Sequence, residues 1–335
     1  MSTEPTAAAR LDATPKSALR ERLAAALAPF MGALVVIVVF YAIPPHPSIT
    51  LLDLQTVAVH MVIVGIAAMG MTFVIVSGGI DLSVGSAIAL SSVASALALR
   101  HGWPLPAAIV LALATGAACG LYNAALITLL RLPPFIATLG TLGFFRGVAK
   151  WISDSMPVSA PADGLDLWVR PVPAQSWLPL APAVWLMLAL AVFLAAVLRH
   201  TVFGRYALAI GSNEATARLC GVRVTRVKTQ IYVLAGALTG LAGLFQFARL
   251  TQGDPTVAVG VELDVIAAVV IGGASLSGGQ GSIAGTMAGA FLMAYLRNRC
   301  TVLGWPNFVQ EMIVGHMIII AVAADQWRAR RAALR

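Results

Sequence analysis

Long apolar runs alternate with short polar or glycine-rich breaks along almost the whole chain. A hydrocarbon core about 30 Å thick needs about 20 apolar residues in helical form, and lipid tolerates no open, irregular backbone. On that measure the pattern predicts ten membrane-spanning helices: Leu27–Ile43, Leu54–Ser77, Val84–Leu99, Leu105–Leu130, Phe135–Trp151, Leu180–Leu198, Thr229–Phe247, Leu263–Leu276, Ser282–Leu296 and Phe308–Ala324. Several are short. Where glycine clusters separate two runs, one bent element can replace two clean spans, which leaves eight or nine as alternatives. The predicted fold class is all-α, a polytopic transmembrane helical bundle.

Composition agrees with the pattern. Of 335 residues, 59% are hydrophobic and only 11% charged, whereas soluble domains devote about a quarter of their residues to charge. This excludes a cytosolic globular enzyme, a disordered chain and a disulfide-stapled secreted domain. Cys119, Cys220 and Cys300 are odd in number and far apart, and no CxxC or HExxH spacing occurs, so neither a disulfide nor a metal site is expected. The net charge of +8 resides in tails and loops beside apolar runs. That placement fits membrane orientation, and no nucleic-acid partner is expected.

The predicted organisation is a cytoplasmic tail over 1–26, a membrane domain over 27–327 and a second cytoplasmic tail over 328–335. Arg10, Lys16, Arg20 and Arg22 precede the first run, which ends in Ile-Pro-Pro-His-Pro without a small-x-small site, so it is expected to be a retained helix and not a cleaved signal. An even span count then keeps Arg131, the segment 199–228 and the C-terminal arginines inside, with Asp154, Asp163, Asp166, Asp254 and Glu262 outside, in keeping with the positive-inside bias. Arg297 and Arg299, both placed outside, run against it. Two loops are long enough to fold: an outer, proline-rich segment over 152–179, expected to be irregular, and an inner, proline-free segment over 199–228.

Chemistry concentrates at three places. Ser77-Gly78-Gly79-Ile80-Asp81-Leu82-Ser83 breaks two apolar runs around one isolated carboxylate. Asp81 or Ser83 is expected to cap the following helix, with an ion or proton site as the rival role for a carboxylate in a membrane. The stretch Gly272-Gly273-Ala274-Ser275-Leu276-Ser277 repeats the same GGxxLS pattern, aligned glycine pair on glycine pair. Such paired interruptions point to internal repetition and a transport pathway, against coincidence in a chain with 30 glycines. Third, Ser212-Asn213-Glu214-Ala215-Thr216-Ala217-Arg218-Leu219-Cys220-Gly221 carries an N-cap (Ser212), an acid at the positive end (Glu214), a base at the negative end (Arg218) and a glycine stop (Gly221). A helix of about two turns is marginal alone. It needs either a partner subunit, offered Ala215, Leu219 and Cys220, or a membrane surface.

The runs Gly70–Ser86 and Pro134–Thr141, Asn213-Glu214-Ala215 with Gly221, and Val270–Leu276 with Gly279 and Gly281 occur in an order that resembles the permease subunits of ribose/xylose-type ATP-binding-cassette sugar importers, within the branched-chain-amino-acid/monosaccharide permease superfamily. The resemblance spans the chain from first helix to last. It implies a type II importer-like architecture and translocation of a pentose, hexose or related polyol. It also implies a second permease chain, identical or not, a separate cytoplasmic ATPase that carries the ATP and magnesium, and a periplasmic sugar-binding protein. This chain itself is then a non-enzymatic, multi-pass protein of the bacterial inner membrane, surrounded by lipid and with no cofactor of its own. The absence of a G-x-x-x-x-G-K-[ST] phosphate loop agrees with that division of labour. The family's coupling helix maps onto Ser212–Gly221, and Ala274 stands where the family often has Thr.

A neutral sugar needs hydroxyl, amide and aromatic partners, and Tyr122, Asn123, Phe135, Thr138 and Thr141 are the candidates for its pathway. Gly78, Gly79, Asp81, Ser83, Gly272, Gly273 and Ser275 are the candidate bends beside it. His60 and His316 are expected to be hydrogen-bonded packing residues, and Arg146 and Lys150, four apart on one face, to snorkel. The rival class is a proton-coupled secondary transporter relying on Asp81 or Glu311. A membrane-embedded enzyme is disfavoured, because the five histidines are scattered.

Overall fold

The computed structural model describes residues 50–174 and 177–333, with Val38 alone upstream. The N-terminal tail and all of the first expected span but Val38 lie outside the described residues. The helices are α1 (Leu51–Val76), α2 (Val84–Arg100), α3 (Leu105–Thr128), α4 (Pro134–Ile152), α5 (Pro182–His200), α6 (Val202–Ser212), α7 (Glu214–Leu219), α8 (Val224–Leu250), α9 (Val261–Ile271), α10 (Ile283–Val302) and α11 (Asn307–Ala333). Every expected span from the second to the tenth coincides with one of them. Four (α1, α3, α5 and α8) meet both the length and the apolarity needed to cross a membrane unaided. Part of the expected C-terminal tail is helical, since α11 runs on to Ala333.

Local signals start the helices where the chain supplies them. Thr50 and Asp53 form a reciprocal capping box on α1, with the Thr50 amide donating to the Asp53 carboxylate at 2.9 Å and the Asp53 amide to the Thr50 hydroxyl at 3.1 Å. Pro134 and Pro182 open α4 and α5 at positions where the missing amide hydrogen costs nothing. Ser282 caps α10 by accepting from the Gly285 amide at 3.1 Å.

α1 is the axis of the bundle: from Met61 to Val76 every residue is buried. It packs against α8, α10, α9 and α5, while α3 lies along α8. That last crossing rests on two glycine pairs spaced by four. A side chain on Gly116 would overlap the Gly236 carbonyl, and one on Gly120 the Tyr232 carbonyl, so the backbones approach as only small residues allow. The GxxxG spacing at 116/120 and 236/240 is visible in the sequence but was not among the expected features.

α8, with 27 residues, spans about 40 Å at 1.5 Å per residue and defines two ends. At its start lie α6 and α7. Beyond its far end, Gln252–Gly253 pairs antiparallel with Val158–Ser159. The loop over 152–179, expected to be irregular, is therefore not so throughout. It contributes that strand and a 3-10 turn, Leu165–Val169, whose Leu165 and Val169 are buried. Glu214 and Asp163 thus sit at opposite ends of the bundle.

Arg297 and Arg299, the bases that run against the expected orientation, each lie near an acid. Arg297 pairs with Asp264 at 2.6 Å, and Arg299 lies 3.7 Å from Asp53. Only Arg297 is closely paired, for among the described residues the buried guanidinium nitrogens of Arg299 make no hydrogen bond. Arg146 does not snorkel: it donates to the Pro255 and Val257 carbonyls at 2.9 and 2.6 Å, tying α4 to the loop before α9. Lys150 is exposed.

Candidate functional site

The end of the bundle at the start of α8 collects all three glycine- or charge-rich segments. α1 and α9 stop in the same way. The Gly78 amide bonds to the Ile75 carbonyl and the Gly79 amide to Val74, just as the Gly273 amide bonds to Val270 and the Ala274 amide to Val269. Gly78 (φ +80°) and Gly273 (φ +90°) each take the left-handed position of this motif. The structural equivalence therefore pairs Ser77-Gly78-Gly79 with Gly272-Gly273-Ala274, one residue out of register from the glycine-on-glycine alignment. The reason is physical: the left-handed site demands a glycine, whereas the other glycine of each pair, Gly79 or Gly272, is placed by packing.

In the first loop Asp81 is 6% exposed, and among the described residues no Lys or Arg pairs with it. Its Oδ1 accepts from the Ser83 amide at 2.8 Å and the Ser83 hydroxyl at 2.6 Å. Asn123 Nδ2 donates to Ser83 Oγ at 2.8 Å and reaches Asp81 Oδ2 at 3.4 Å, while Thr141 donates to Asn123 Oδ1 at 2.7 Å. Thr138, fully buried, lies 3.1 Å from the Ile80 carbonyl and 2.9 Å from that of Pro134. The expected cap on α2 is corrected here. Ser83 makes no side-chain bond to the helix amides, because its hydroxyl is committed to Asp81 and Asn123. Asp81 fastens the loop, through Asn123 and Thr141, to α3 and α4. Tyr232 of α8, missed from sequence, has its buried hydroxyl 2.6 Å from where a Gly79 Cβ would stand.

The expected sugar-contacting set is thereby divided. Asn123, Thr138 and Thr141 belong to the buried network, whereas Tyr122 and Phe135 are exposed, and Tyr122 stacks on Phe144 at 5.4 Å. At the far end of the bundle a cavity of about 420 Å³ is lined by His60, Gln246, Arg249, Asp264, Arg297 and Gln310 among others. His60 lies there beside polar groups, and His316 bonds to the Met312 carbonyl at 2.9 Å. Glu311 is exposed on α11.

The second loop is closed by its own backbone. The Ser275 amide bonds to the Gln280 carbonyl at 3.1 Å and the Gly278 amide to the Ser275 carbonyl at 3.0 Å. Gly272 is held close to α10, where a Cβ would lie 2.5 Å from Gly285 backbone atoms.

Next to both loops stands the α6–α7 pair. Ser212 is not the N-cap of the second helix. It is the last residue of α6, and Asn213 caps α7 by accepting from the Thr216 amide at 2.9 Å. The amphipathic run Val202–Ser212 is itself helical because its apolar face, through Ala207 and Ile210, is buried. α7 has six residues, ended as expected by Gly221 at φ +80°. It is also not free-standing, since Ala217 is buried. Glu214 pairs with Arg218 at 2.6 Å and also with Lys228 at 2.6 Å. Partial burial pushes the Glu214 carboxyl up, but the hydrogen bonds and charges of Lys228 and Arg218 outweigh it and hold the group below its ordinary value. It therefore stays charged at neutral pH. Beside it lies a cleft of about 590 Å³ lined by Arg131, Pro133, Pro134, Glu214, Arg218 and Lys228 among others. Ala215 is exposed, and Leu219 is 89% exposed.

Comparison with known proteins adds the context. The family model described as branched-chain amino acid transport system / permease component matches residues 54–322. The ribose import permease protein RbsC of Bacillus subtilis (strain 168) is 40% identical over 311 residues, covering 90% of this chain and 92% of that protein. RbsC of Escherichia coli (strain K12) is 40% identical over 268 residues, 78% of this chain and 81% of that one. The L-arabinose ABC transporter permease protein AraH of Azospirillum brasilense is 34% identical over 277 residues, 82% and 80% of the two chains. No solved structure gives a significant match.

Proposed function

Because the chain belongs to the branched-chain amino acid transport system / permease component family, we propose that it is the membrane-spanning subunit of an ATP-binding-cassette importer that carries a monosaccharide. Its substrate class follows from relatives named for ribose and L-arabinose import. A separate ATPase and a substrate-binding protein complete the machine. The second permease chain packs on the exposed, stacked pair Tyr122 and Phe144. The chain sits in the bacterial inner membrane with α6 and α7 in the cytoplasm.

The observation that carries the division of labour is Leu219. An apolar side chain 89% exposed on a six-residue helix at the basic end of the bundle suits a partner's groove, since burial there would remove its apolar surface from water. The α7 segment, from Asn213 to Gly221, is thus the contact to the ATPase, with Arg218 and the Glu214 pair at its rim.

Reconstitution of the chain with its ATPase and binding protein into vesicles tests the function. ATP-dependent uptake of a pentose that survives collapse of the proton gradient is the expected result. Uptake that follows the gradient and ignores ATP overturns it in favour of a proton-coupled carrier. Glu214→Arg tests the contact, because it repels Arg218 and Lys228 and places a base at the positive helix end. Loss of ATPase association together with uptake is expected, and full retention of both removes α7 from this role.

A further inference from the structure

Three backbone segments that are far apart in sequence meet at one point of the bundle. The last carbonyls of α1 have no partner within the helix, and one of them, that of Val76, accepts from the Gly279 amide of the second loop at 2.9 Å. That single bond joins the two glycine loops directly. Gly211, in the last turn of α6, lies across it. A Cβ on Gly211 would fall on the Val76 carbonyl oxygen and stand 2.6 Å from the Gly279 nitrogen. The loops show the same closeness from their own side. A Cβ on Gly278 would be 2.8 Å from the Gly211 carbonyl oxygen, and one on Gly279 would be 3.0 Å from the Ser212 Cα. The atoms concerned are backbone, which cannot rotate away as a flexible side chain can.

Only Asn213 separates Gly211 and Ser212 from α7. Close-packed interiors transmit displacement because they have little free volume to absorb it. A shift of α7 is therefore delivered to the Val76–Gly279 bond, and so to the ends of α1 and α9 together. We propose that Gly211 is a positioning residue for transport, the seat through which movement of the ATPase contact reaches both glycine loops at once. This rests on the assignment of α7 to the ATPase. Nothing in it requires Gly211 to touch sugar or ATPase.

The test compares Gly211→Ala with the wild type in the reconstituted complex, scoring ATPase association, ATP hydrolysis and sugar uptake separately. Retained association with a fall of roughly 5-fold or more in sugar moved per ATP hydrolysed is expected, the scale of typical coupling between distant sites. A merely structural role lowers uptake and hydrolysis in proportion, and that result, or an unchanged ratio, overturns the proposal. Should the variant fail to assemble, amide exchange on the wild-type complex decides. Trapping the ATPase with a non-hydrolysable nucleotide should change protection in 74–83 and 275–282 together, and a change in one segment alone overturns it. Glu214→Arg distinguishes the premise: intact association there sinks the ATPase contact, whereas an unaltered Gly211→Ala ratio sinks only the seat.

Discussion

The loops over 77–83 and 272–282 leave their helices through the same hydrogen bonds and then solve different problems. The first is held by side chains: Ser83 donates to Asp81, and Asn123 of α3, itself bonded by Thr141 of α4, donates to both. The second is held by main chain, through Ser275 to Gln280 and Gly279 to Val76. At the position equivalent to Asp81 it carries Leu276. A shared helix ending thus serves a chemically specific clamp in one half and a generic, glycine-dependent clasp in the other. Substitutions that remove polar groups should damage the first loop, and substitutions that add carbon should damage the second.

The largest effect is expected from Asp81→Leu. It strands the Ser83 amide and the Ser83 hydroxyl, and each orphaned buried donor costs about 1–3 kcal/mol. Thermal stability of the detergent-solubilised chain should collapse and uptake should vanish. The reciprocal Leu276→Asp probes the partial burial of its site, and equal tolerance of both changes would erase the distinction between the loops.

Next come Gly273→Leu and Gly79→Leu. At φ +90° a leucine at 273 pays roughly 1–2 kcal/mol in backbone strain, whereas at 79 its Cβ meets the buried Tyr232 hydroxyl. Both variants should insert in the membrane yet lose uptake, as membrane fractionation beside a transport assay will record. Adding Tyr232→Phe to Gly79→Leu should recover part of the loss, because it removes the overlapping oxygen, and it should do nothing for Gly273→Leu.

Smaller again is Thr141→Val, which deletes one bond to Asn123 and should cost about 1 kcal/mol in a denaturation measurement. Ser277→Ala lies at the bottom of the scale. Its hydroxyl sits 2.8 Å from that of Ser275 on an exposed residue, so a change within about 0.5 kcal/mol is expected. A larger loss for Ser277→Ala than for Thr141→Val would reverse the ranking of the loops.

How far the chain could be understood before folding differs by feature. Hydropathy located the second to tenth spans, because a lipid-soluble helix must declare itself within its own residues. The stop at Gly221 was equally legible, being a contest among adjacent groups. The start of α7 was misplaced by one residue, at Ser212 in place of Asn213. Both residue types make good caps, and the choice fell to the burial of Ala207 and Ile210, which draws Ser212 into α6. Likewise the repeat was detected, but its register was not.

What the sequence by itself determined is therefore the class of molecule: an all-α membrane bundle with two glycine-broken helix ends and a short capped helix among basic residues. Each of these depends on interactions within a few residues. Only the tertiary structure decided that Asp81 answers to Asn123, that Glu214 is shared with Lys228, that Arg297 is neutralised by Asp264, and that Gly211 rests on the bond between Val76 and Gly279. Glu214 and Lys228 are 14 residues apart and Asp81 and Asn123 42, in a chain whose spacing carries no trace of the pairing; the Thr72–Thr286 hydroxyl contact at 2.7 Å, between residues 214 apart, joins α1 to α10 in the same way. Hydrogen bonds and close backbone contacts act over about 3 Å, so their partners are fixed by where the helices cross, and that is settled by packing of the whole bundle.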